Sequence, residues 1–173
     1  MNGYVQVYTG NGKGKTTAAL GLIMRASGAG LKSYFCQFIK GQPSSELKVL
    51  TESLPGVTCV QYGLGRFFTP GHNPSLEDIN AARKGIRALE TAMLSGSYNL
   101  AVADEIIVAV KIGLVKMEQV CRLIDLKPDN LELVLTGRDA PPEIIARADL
   151  VTEMRNIKHY FSQNVRARKG VEY

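Results

Sequence analysis

The sequence has no tryptophan, few aromatic residues and no long apolar run, and these absences exclude whole classes of structure. Only 7% of the 173 residues are aromatic. The longest unbroken aliphatic run, residues 106–110, has five residues, far fewer than the roughly 20 that cross a bilayer. The first residues also lack the basic and apolar regions of a secretory signal. We therefore expect no membrane span and no signal peptide.

Cysteine is scarce as well. The three cysteines, Cys36, Cys59 and Cys121, are widely separated, and none belongs to a C-x-x-C pair. An odd number without paired spacing argues against a disulfide framework and against a zinc site. We expect buried thiols in the reducing environment of the cytoplasm.

Acidic residues are missing from the first 45 positions, which carry five basic side chains. Residues 154–173 carry five more basic side chains and a single acidic residue, Glu172. Both ends of the chain would therefore attract an anion, with nucleic acid and a polyphosphate as the two candidate ligands. A merely solvated basic surface is the third interpretation, and composition does not choose among them.

Short apolar runs alternate with helical segments along the chain, which predicts crossover connections and a parallel sheet covered by helices on both faces. The runs are nearly continuous in apolar character, as is typical of strands buried on both faces. We predict one α/β domain over residues 1–173, in three layers, with a mostly parallel sheet of about six strands.

Ser75 and Asp78 form an N-terminal capping signature for the longest predicted helix. The predicted strands are residues 4–8, 33–39, 57–62, 100–103, 131–135 and 150–154. The predicted helices are residues 16–27, 45–53, 75–95, a stretch to 126 interrupted at Gly113, and 141–148.

Ligands bind beyond the carboxyl ends of parallel strands, so one edge of the sheet should carry the site. The loops expected there are residues 9–17, 40–43, 63–74, 104–105 and 136–140.

A glycine-rich loop, TGNGKGKTT at residues 9–17, connects the first predicted strand to a helix. Glycines let backbone N–H groups surround a phosphate, Lys15 supplies a charge to the outer phosphates, and the Thr16 hydroxyl can bind Mg²⁺. The fit to G-x-x-x-x-G-K-[ST] is imperfect, because Thr9 stands where the first glycine belongs and Gly10 follows it. Strand, loop and helix in this order predict a triphosphate site in a RecA-like P-loop NTPase fold.

Two further strand ends carry charged residues. The apolar run at residues 100–103 leads into Asp104 and Glu105, and a carboxylate at this place in P-loop proteins reaches Mg²⁺ directly or through water. Arg138 follows the fifth predicted strand, where its guanidinium suits phosphate oxygens. A surface arginine after a turn is the alternative for Arg138.

The loop at residues 63–70 contains the adjacent pair Phe67 and Phe68 among glycines and a proline. Two neighbouring rings in such a loop either form an apolar face for a ligand or let the loop pack on its own aromatic residues, and the sequence leaves both interpretations open. His72 and His159 lack the partner spacing of a metal site, and each is expected to be structural or to make a polar contact.

Taken together, the chain resembles the P-loop ATP:corrinoid adenosyltransferases, also called cob(I)alamin adenosyltransferases. The displaced glycine of the P-loop is itself a feature of that family. Five stretches in the family's order carry the resemblance: VYTGNGKGKTT at 7–17, CQFIKG at 36–41, ADE at 103–105, LTGR at 135–138, and ADLVTEM at 148–154 with Lys158 and His159.

The resemblance implies transfer of the 5′-deoxyadenosyl group of ATP to the cobalt of a reduced corrinoid, with release of triphosphate. It implies that the nucleotide lies reversed in the P-loop, with Lys15, Arg138 and Glu105 as the catalytic residues, and Mg²⁺ or Mn²⁺ on Thr16 and Glu105. The implied ATP-binding residues are Gly10, Asn11, Gly12, Lys13, Gly14, Lys15, Thr16, Thr17 and Arg138, with Lys13 joining Lys15 and Arg138 on the phosphates. The implied corrinoid-binding residues are Gly65, Arg66, Phe67 and Phe68.

The resemblance also implies partners and a compartment. We expect a cytoplasmic homodimer that receives electrons from a flavoprotein, with no nucleic-acid or membrane partner. In the family, the aromatic residues of the corrin-facing loop exclude the lower axial ligand of cobalt.

The chain departs from the family pattern in three places. Phe68, beside Arg66, stands where the corrin-facing loop of many members has a tryptophan. Ile107 and Val108 replace a polar residue and a tyrosine, which leaves one nucleotide or corrin contact unassigned. The chain begins at its first predicted strand, where some members have a helix that covers the corrinoid. The missing tryptophan leaves open which corrinoid binds and how tightly.

Two other functions use the same motifs. A nucleoside kinase of the thymidine-kinase type also pairs a P-loop with Asp-Glu after a strand, but the zinc-type cysteine pairs of that class are absent from the sequence. A P-loop ATPase associated with nucleic acid would use the basic ends of the chain. Phosphoryl transfer needs a base or a group that positions water, whereas Co(I) is already a strong nucleophile. Triphosphate as the product from ATP distinguishes adenosyl transfer from both alternatives, which release ADP.

Overall fold

Six parallel strands form a single sheet in the order β3-β2-β4-β5-β1-β6. The computed structural model describes residues 2–42, 44–66 and 73–172, the side chain of Phe161 apart. The parallel α/β fold predicted from the alternation of strands and helices is confirmed. The strands are β1 (Val5–Thr9), β2 (Ser33–Gln37), β3 (Val57–Gln61), β4 (Leu100–Asp104), β5 (Glu132–Thr136) and β6 (Leu150–Glu153).

Helices cover both faces of the sheet, which gives the three layers expected. Ile23 and Leu50 pack with Phe35 on one face, whereas Leu89 and Leu123 belong to the larger core on the other. All five residues of β2, β4 and β5 are buried. The helices are α1 (Lys15–Gly28), α2 (Ser45–Ser53), α3 (Leu76–Leu94), α4 (Ile106–Lys111), α5 (Met117–Asp125) and α6 (Pro142–Ile145), followed by a 3₁₀ helix (Tyr160–Gln163).

Helix α6 is shorter than the predicted span of residues 141–148. The backbone N–H groups of Arg147 and Ala148 donate to carbonyls only three residues back, which tightens the last turn. Asp149 then accepts a hydrogen bond from the N–H of Val5 at 2.7 Å and donates its own N–H to the Val5 carbonyl. Pairing with β1 therefore ends the helix early.

The N-terminus of α3 has the capping box that the sequence predicted. Ser75 Oγ accepts the N–H of Asp78, and Asp78 Oδ2 accepts the N–H of Ser75 at 3.0 Å. The two contacts satisfy N–H groups that the first helical turn leaves without partners.

The expectation that all three cysteines are buried is wrong in part. All are free thiols, but only Cys36 is buried, and Cys59 and Cys121 are partly exposed. Burial raises the pKa of the Cys36 thiol, so it stays protonated within the core. Within residues 2–42, 44–66 and 73–172, no helix has the length and apolar character to span a membrane.

Gly85, in the middle of α3, is required by close packing. A Cβ at this position would lie 2.8 Å from Tyr62 Cγ and 2.9 Å from Phe38 Cε1. We predict that Gly85→Ala destabilises the protein, because overpacking costs about 1–3 kcal/mol and exceeds the gain in helix propensity. The free energy of unfolding in urea measures the effect.

Gly21 in α1 provides the matched control, since a Cβ there would have no atom within 4 Å. Gly21→Ala should stabilise the protein by about 0.5–1 kcal/mol. Equal effects of the two substitutions would contradict the packing assigned to Gly85.

Candidate active site

The P-loop passes between β1 and α1 and lies against the chain that follows β6. The N–H of Gly12 donates to the Met154 carbonyl at 2.7 Å. Gly10 has φ +95°, and a Cβ on it would lie 2.5 Å from that same carbonyl oxygen. A side chain is therefore excluded at Gly10 by both conformation and space, which accounts for a glycine at this displaced position.

Lys15 is buried inside the loop, with 6% of its surface exposed. Its Nζ donates to the carbonyls of Gly10 and Gly12, each at 2.7 Å. Burial lowers the pKa of Lys15, and the neighbouring Glu105 opposes that shift. The ammonium thus holds the loop around a positive charge, which would attract an anion.

Asp104, the last residue of β4, is fully buried and joins the P-loop to the sheet. Its Oδ1 accepts hydrogen bonds from Thr16 Oγ1 at 2.8 Å and Thr136 Oγ1 at 2.7 Å. Its Oδ2 accepts one from Gln37 Nε2 at 3.0 Å, and Gln61 Nε2 in turn donates to Gln37 Oε1 at 2.9 Å. The carboxylate is thereby held by donors from α1, β5 and β2.

Gln37 and Thr136 have functional contacts that were not predicted from the sequence. Each is a polar residue at the end of a strand whose other residues are buried. Gln37 is also the register partner of Asp104 across the β2–β4 pair. The sequence does show a polar residue at the end of each of these three strands, β2, β4 and β5. That these residues contact one another could be predicted only from the strand order.

Glu105 follows Asp104 in a left-handed conformation, with φ 59°. Its N–H donates to Thr136 Oγ1 at 2.9 Å. Burial raises the pKa of the Glu105 carboxyl and Asp104 adds to the shift, whereas Lys15 acts in the opposite direction. Among the residues that the structure describes, none donates a hydrogen bond to this carboxylate. The sharp turn after β4 therefore presents an acceptor toward the P-loop.

A cavity of about 640 Å³ opens beside the P-loop, within the range of about 300–1,000 Å³ typical of ligand sites. One wall is cationic and includes Lys15, Lys40 and Arg138. Lys40 also forms an ion pair with Glu46, at 3.1 Å. Of the residues expected to bind nucleotide or metal, those lining the cavity are Gly12, Lys13, Gly14, Lys15, Thr16, Thr17, Glu105 and Arg138.

Comparison with known proteins identifies the family. A family model described as ATP:corrinoid adenosyltransferase BtuR/CobO/CobP matches residues 1–173. The chain belongs to the ATP:corrinoid adenosyltransferase family.

Individual relatives match almost the whole chain. A corrinoid adenosyltransferase of Pseudomonas aeruginosa is 34% identical, with 99% of this chain and 84% of that protein covered. One from a Sinorhizobium species is 36% identical, with coverages of 99% and 80%. Corrinoid adenosyltransferase CobA of Salmonella typhimurium is 34% identical, with coverages of 99% and 86%. The resemblance drawn from the motifs is confirmed.

The predicted ATP-binding residues Gly10 and Asn11 differ from the rest of the P-loop. Gly10 and Asn11 do not line the cavity, although the Gly10 carbonyl accepts a hydrogen bond from Lys15. Phe67, Phe68 and His72 lie outside the described residues. His159 lines the cavity.

Arg66, assigned to the corrinoid by resemblance, contacts the start of α3. Its guanidinium forms ion pairs with Glu77 and Asp78 and donates to Ser75 Oγ at 3.0 Å. Gly65 and Arg66 do not line the cavity. Their loop contacts the 40–42 loop instead, since a Cβ on Gly41 would lie 2.3 Å from the Gly65 nitrogen. The corrinoid role of both residues stays a prediction.

Ile107 and Val108, the two residues predicted to depart from the family pattern after Asp104 and Glu105, differ in burial. Ile107 is fully buried in the core, and Val108 is partly exposed. A Cβ on Gly137 would lie 2.7 Å from Ile107 Cβ, so the turn after β5 packs closely on α4. The departure from the family pattern thus extends the apolar core at the edge of the site.

Lys13 has a partner that the sequence analysis did not foresee. Its Nζ donates to Glu172 Oε1 at 2.9 Å and to the Val171 carbonyl at 3.1 Å. The two residues are far from Lys13 in sequence, and no local pattern connects them.

The Asp104 contacts make Thr136 sensitive to an isosteric change. Thr136→Val removes the hydroxyl that donates to Asp104 and accepts the Glu105 N–H. Each of these two groups would then lack one hydrogen bond away from water. We predict a loss of about 1–3 kcal/mol in the free energy of unfolding. Thr152→Val on the exposed strand β6 is the matched control and should change it by less than about 0.5 kcal/mol. Equal losses in chemical denaturation would contradict the role given to Thr136.

Proposed function

We propose that the protein transfers the 5′-deoxyadenosyl group of ATP to the Co(I) of a reduced corrinoid and releases triphosphate. The observation that carries the proposal is the P-loop cavity, in which Lys15, Thr16, Glu105 and Arg138 meet. Membership of the adenosyltransferase family supports the same reaction.

The reaction does not depend on a general acid or a general base from the protein. Co(I) attacks C5′ of the ribose, a cobalt–carbon bond forms, and the C5′–oxygen bond breaks with its electron pair remaining on the triphosphate. Cobalt is formally oxidised from Co(I) to Co(III). The protein must hold both substrates in line and stabilise the charge that develops on the leaving group. Lys15 and Arg138 supply positive charge at the cavity wall for that purpose.

The donor set at Thr16 and Glu105 fits a hard divalent cation such as Mg²⁺ or Mn²⁺. Both side chains offer oxygen atoms, which these ions prefer, and the Glu105 carboxylate receives no hydrogen bond from the described residues. When bound, the metal ion would neutralise charge on the triphosphate. Asp104 acts indirectly, because it accepts a hydrogen bond from the Thr16 hydroxyl and holds that hydroxyl in place.

The setting of the reaction is also part of the proposal. Formation of Co(I) requires a strong electron donor, and we propose a flavoprotein for this role. Free thiols at Cys36, Cys59 and Cys121 support a reducing compartment, the cytoplasm. The family resemblance supports a homodimer.

Product analysis tests the proposed reaction. Protein, MgATP and chemically reduced cobalamin should give adenosylated cobalamin, followed by its absorbance, with one equivalent of triphosphate. A nucleoside kinase or a nucleic-acid-associated ATPase would give ADP instead. Lys15→Met should abolish product formation, whereas Lys84→Met, an exposed lysine on α3, should not. ADP as the main product of the wild-type protein would contradict the proposed reaction.

The nucleotide and metal roles can be separated by binding. Lys15→Met removes charge-assisted contacts to phosphate, so ATP affinity should fall about tenfold to a hundredfold with or without Mg²⁺. Glu105→Gln should lower ATP affinity only when Mg²⁺ is present, because its loss acts through the metal. Calorimetric titration in Mg²⁺ and in a chelator measures both. An identical loss for Glu105→Gln in the two buffers would refute its assignment to the metal.

A further inference from the structure

The cavity has a second wall, formed by residues 159–172, which we call the 159–172 segment. This segment includes the 3₁₀ helix after β6 and contacts the P-loop through Lys13. The residues it contributes to the cavity are His159, Tyr160, Val165, Arg166, Ala167, Gly170, Val171 and Glu172.

The two walls differ in chemistry. The P-loop wall offers the charges of Lys15 and Arg138, which suit a polyphosphate. The opposite wall offers the Tyr160 ring and the side chains of Val165 and Val171, which suit an aromatic base. ATP has the same division, with a charged triphosphate at one end and an adenine at the other.

Contacts at both ends hold the segment in place. The Arg168 guanidinium lies 4.9 Å from the centre of the Tyr160 ring and forms an ion pair with Glu172 at 3.1 Å. Lys13 ties Glu172 and the Val171 carbonyl to the P-loop. Arg168 and Lys13 together lower the pKa of Glu172 to about 2, so the carboxylate is charged at neutral pH.

The Lys13 ammonium cannot bind Glu172 and a phosphate at the same time. In this structure its ammonium is directed to Glu172 and Val171, whereas Lys15 remains inside the loop. A phosphate contact from Lys13 would require it to leave the carboxylate, and the segment would then lose its tie to the P-loop.

We propose that the 159–172 segment binds the adenosine half of ATP, with Tyr160 and Val171 against the base, and that Lys13 positions this segment through Glu172. Lys13 is then a positioning residue, and the triphosphate depends on Lys15 and Arg138. The proposal rests on the proposed function, since it takes ATP as the nucleotide of this site.

Comparison of ATP with inorganic triphosphate tests the base-binding wall. Tyr160→Ala should weaken ATP binding at least about fivefold, the effect of losing an aromatic contact with a base, and leave triphosphate affinity unchanged. Tyr160→Phe should restore ATP affinity. Tyr4→Ala is the matched control, because Tyr4 is similarly exposed, 54% against 48%, and precedes β1 at the opposite edge of the sheet. Unchanged ATP affinity, or equal losses for both ligands, would overturn the proposal.

A double-mutant cycle tests the role of Lys13. Lys13→Met and Glu172→Gln should each weaken ATP binding by about twofold to fivefold, as for a surface ion pair. The double variant should be no weaker than either single one, and triphosphate affinity should stay at the wild-type value in all three. Loss of triphosphate affinity in Lys13→Met alone would show that Lys13 binds phosphate directly and would overturn its positioning role.

These titrations contain no corrinoid, so their outcome is independent of adenosyl transfer. If Tyr160→Ala fails to separate ATP from triphosphate while the wild-type protein forms adenosylcobalamin, the inference fails and the proposed function stands. If the titrations succeed but ADP is the product, the base-binding wall stands and the proposed function fails.

Discussion

The buried carboxylate of Asp104 is the interaction on which the site depends. A charge taken out of water is costly unless it is paired or fully hydrogen-bonded. Asp104 meets this condition with donors from Thr16, Thr136 and Gln37. Because these donors come from α1, β5 and β2, the network is complete only when the strands are in their native order and the P-loop helix is docked.

The same network determines what faces the cavity. Thr136 also accepts the N–H of Glu105, so the turn after β4 presents that carboxylate beside Lys15. Lys15 is confined by the P-loop carbonyls, and Arg138 lies two residues after the end of β5. The result is a fixed set of charges at the cavity, which the proposed function assigns to the leaving triphosphate. A nucleophile as strong as Co(I) needs only this preorganised environment and alignment with C5′.

Features set by local sequence were predictable, and features set by tertiary pairing were not. The strand–helix alternation, the P-loop and the Ser75 capping box follow from short patterns, and the structure has all three. The early end of α6, the exposure of Cys59 and Cys121, and the Lys13–Glu172 ion pair depend on segments that meet only in the folded chain. The hydrophobic periodicity of one segment does not indicate which distant segments it contacts. The proposed corrinoid contacts of Phe67 and Phe68 remain predictions from the family resemblance.

The proposed reaction breaks the C5′–oxygen bond of ATP and leaves the bonds between its phosphates intact. The most direct measurement uses ATP labelled with a heavy oxygen isotope at the atom that joins C5′ to the α-phosphorus. After reaction with reduced cobalamin, mass spectrometry should find all of the label in triphosphate and none in the adenosyl product. Label retained in ADP or AMP would contradict the account, because it would mean that a phosphorus–oxygen bond had broken instead.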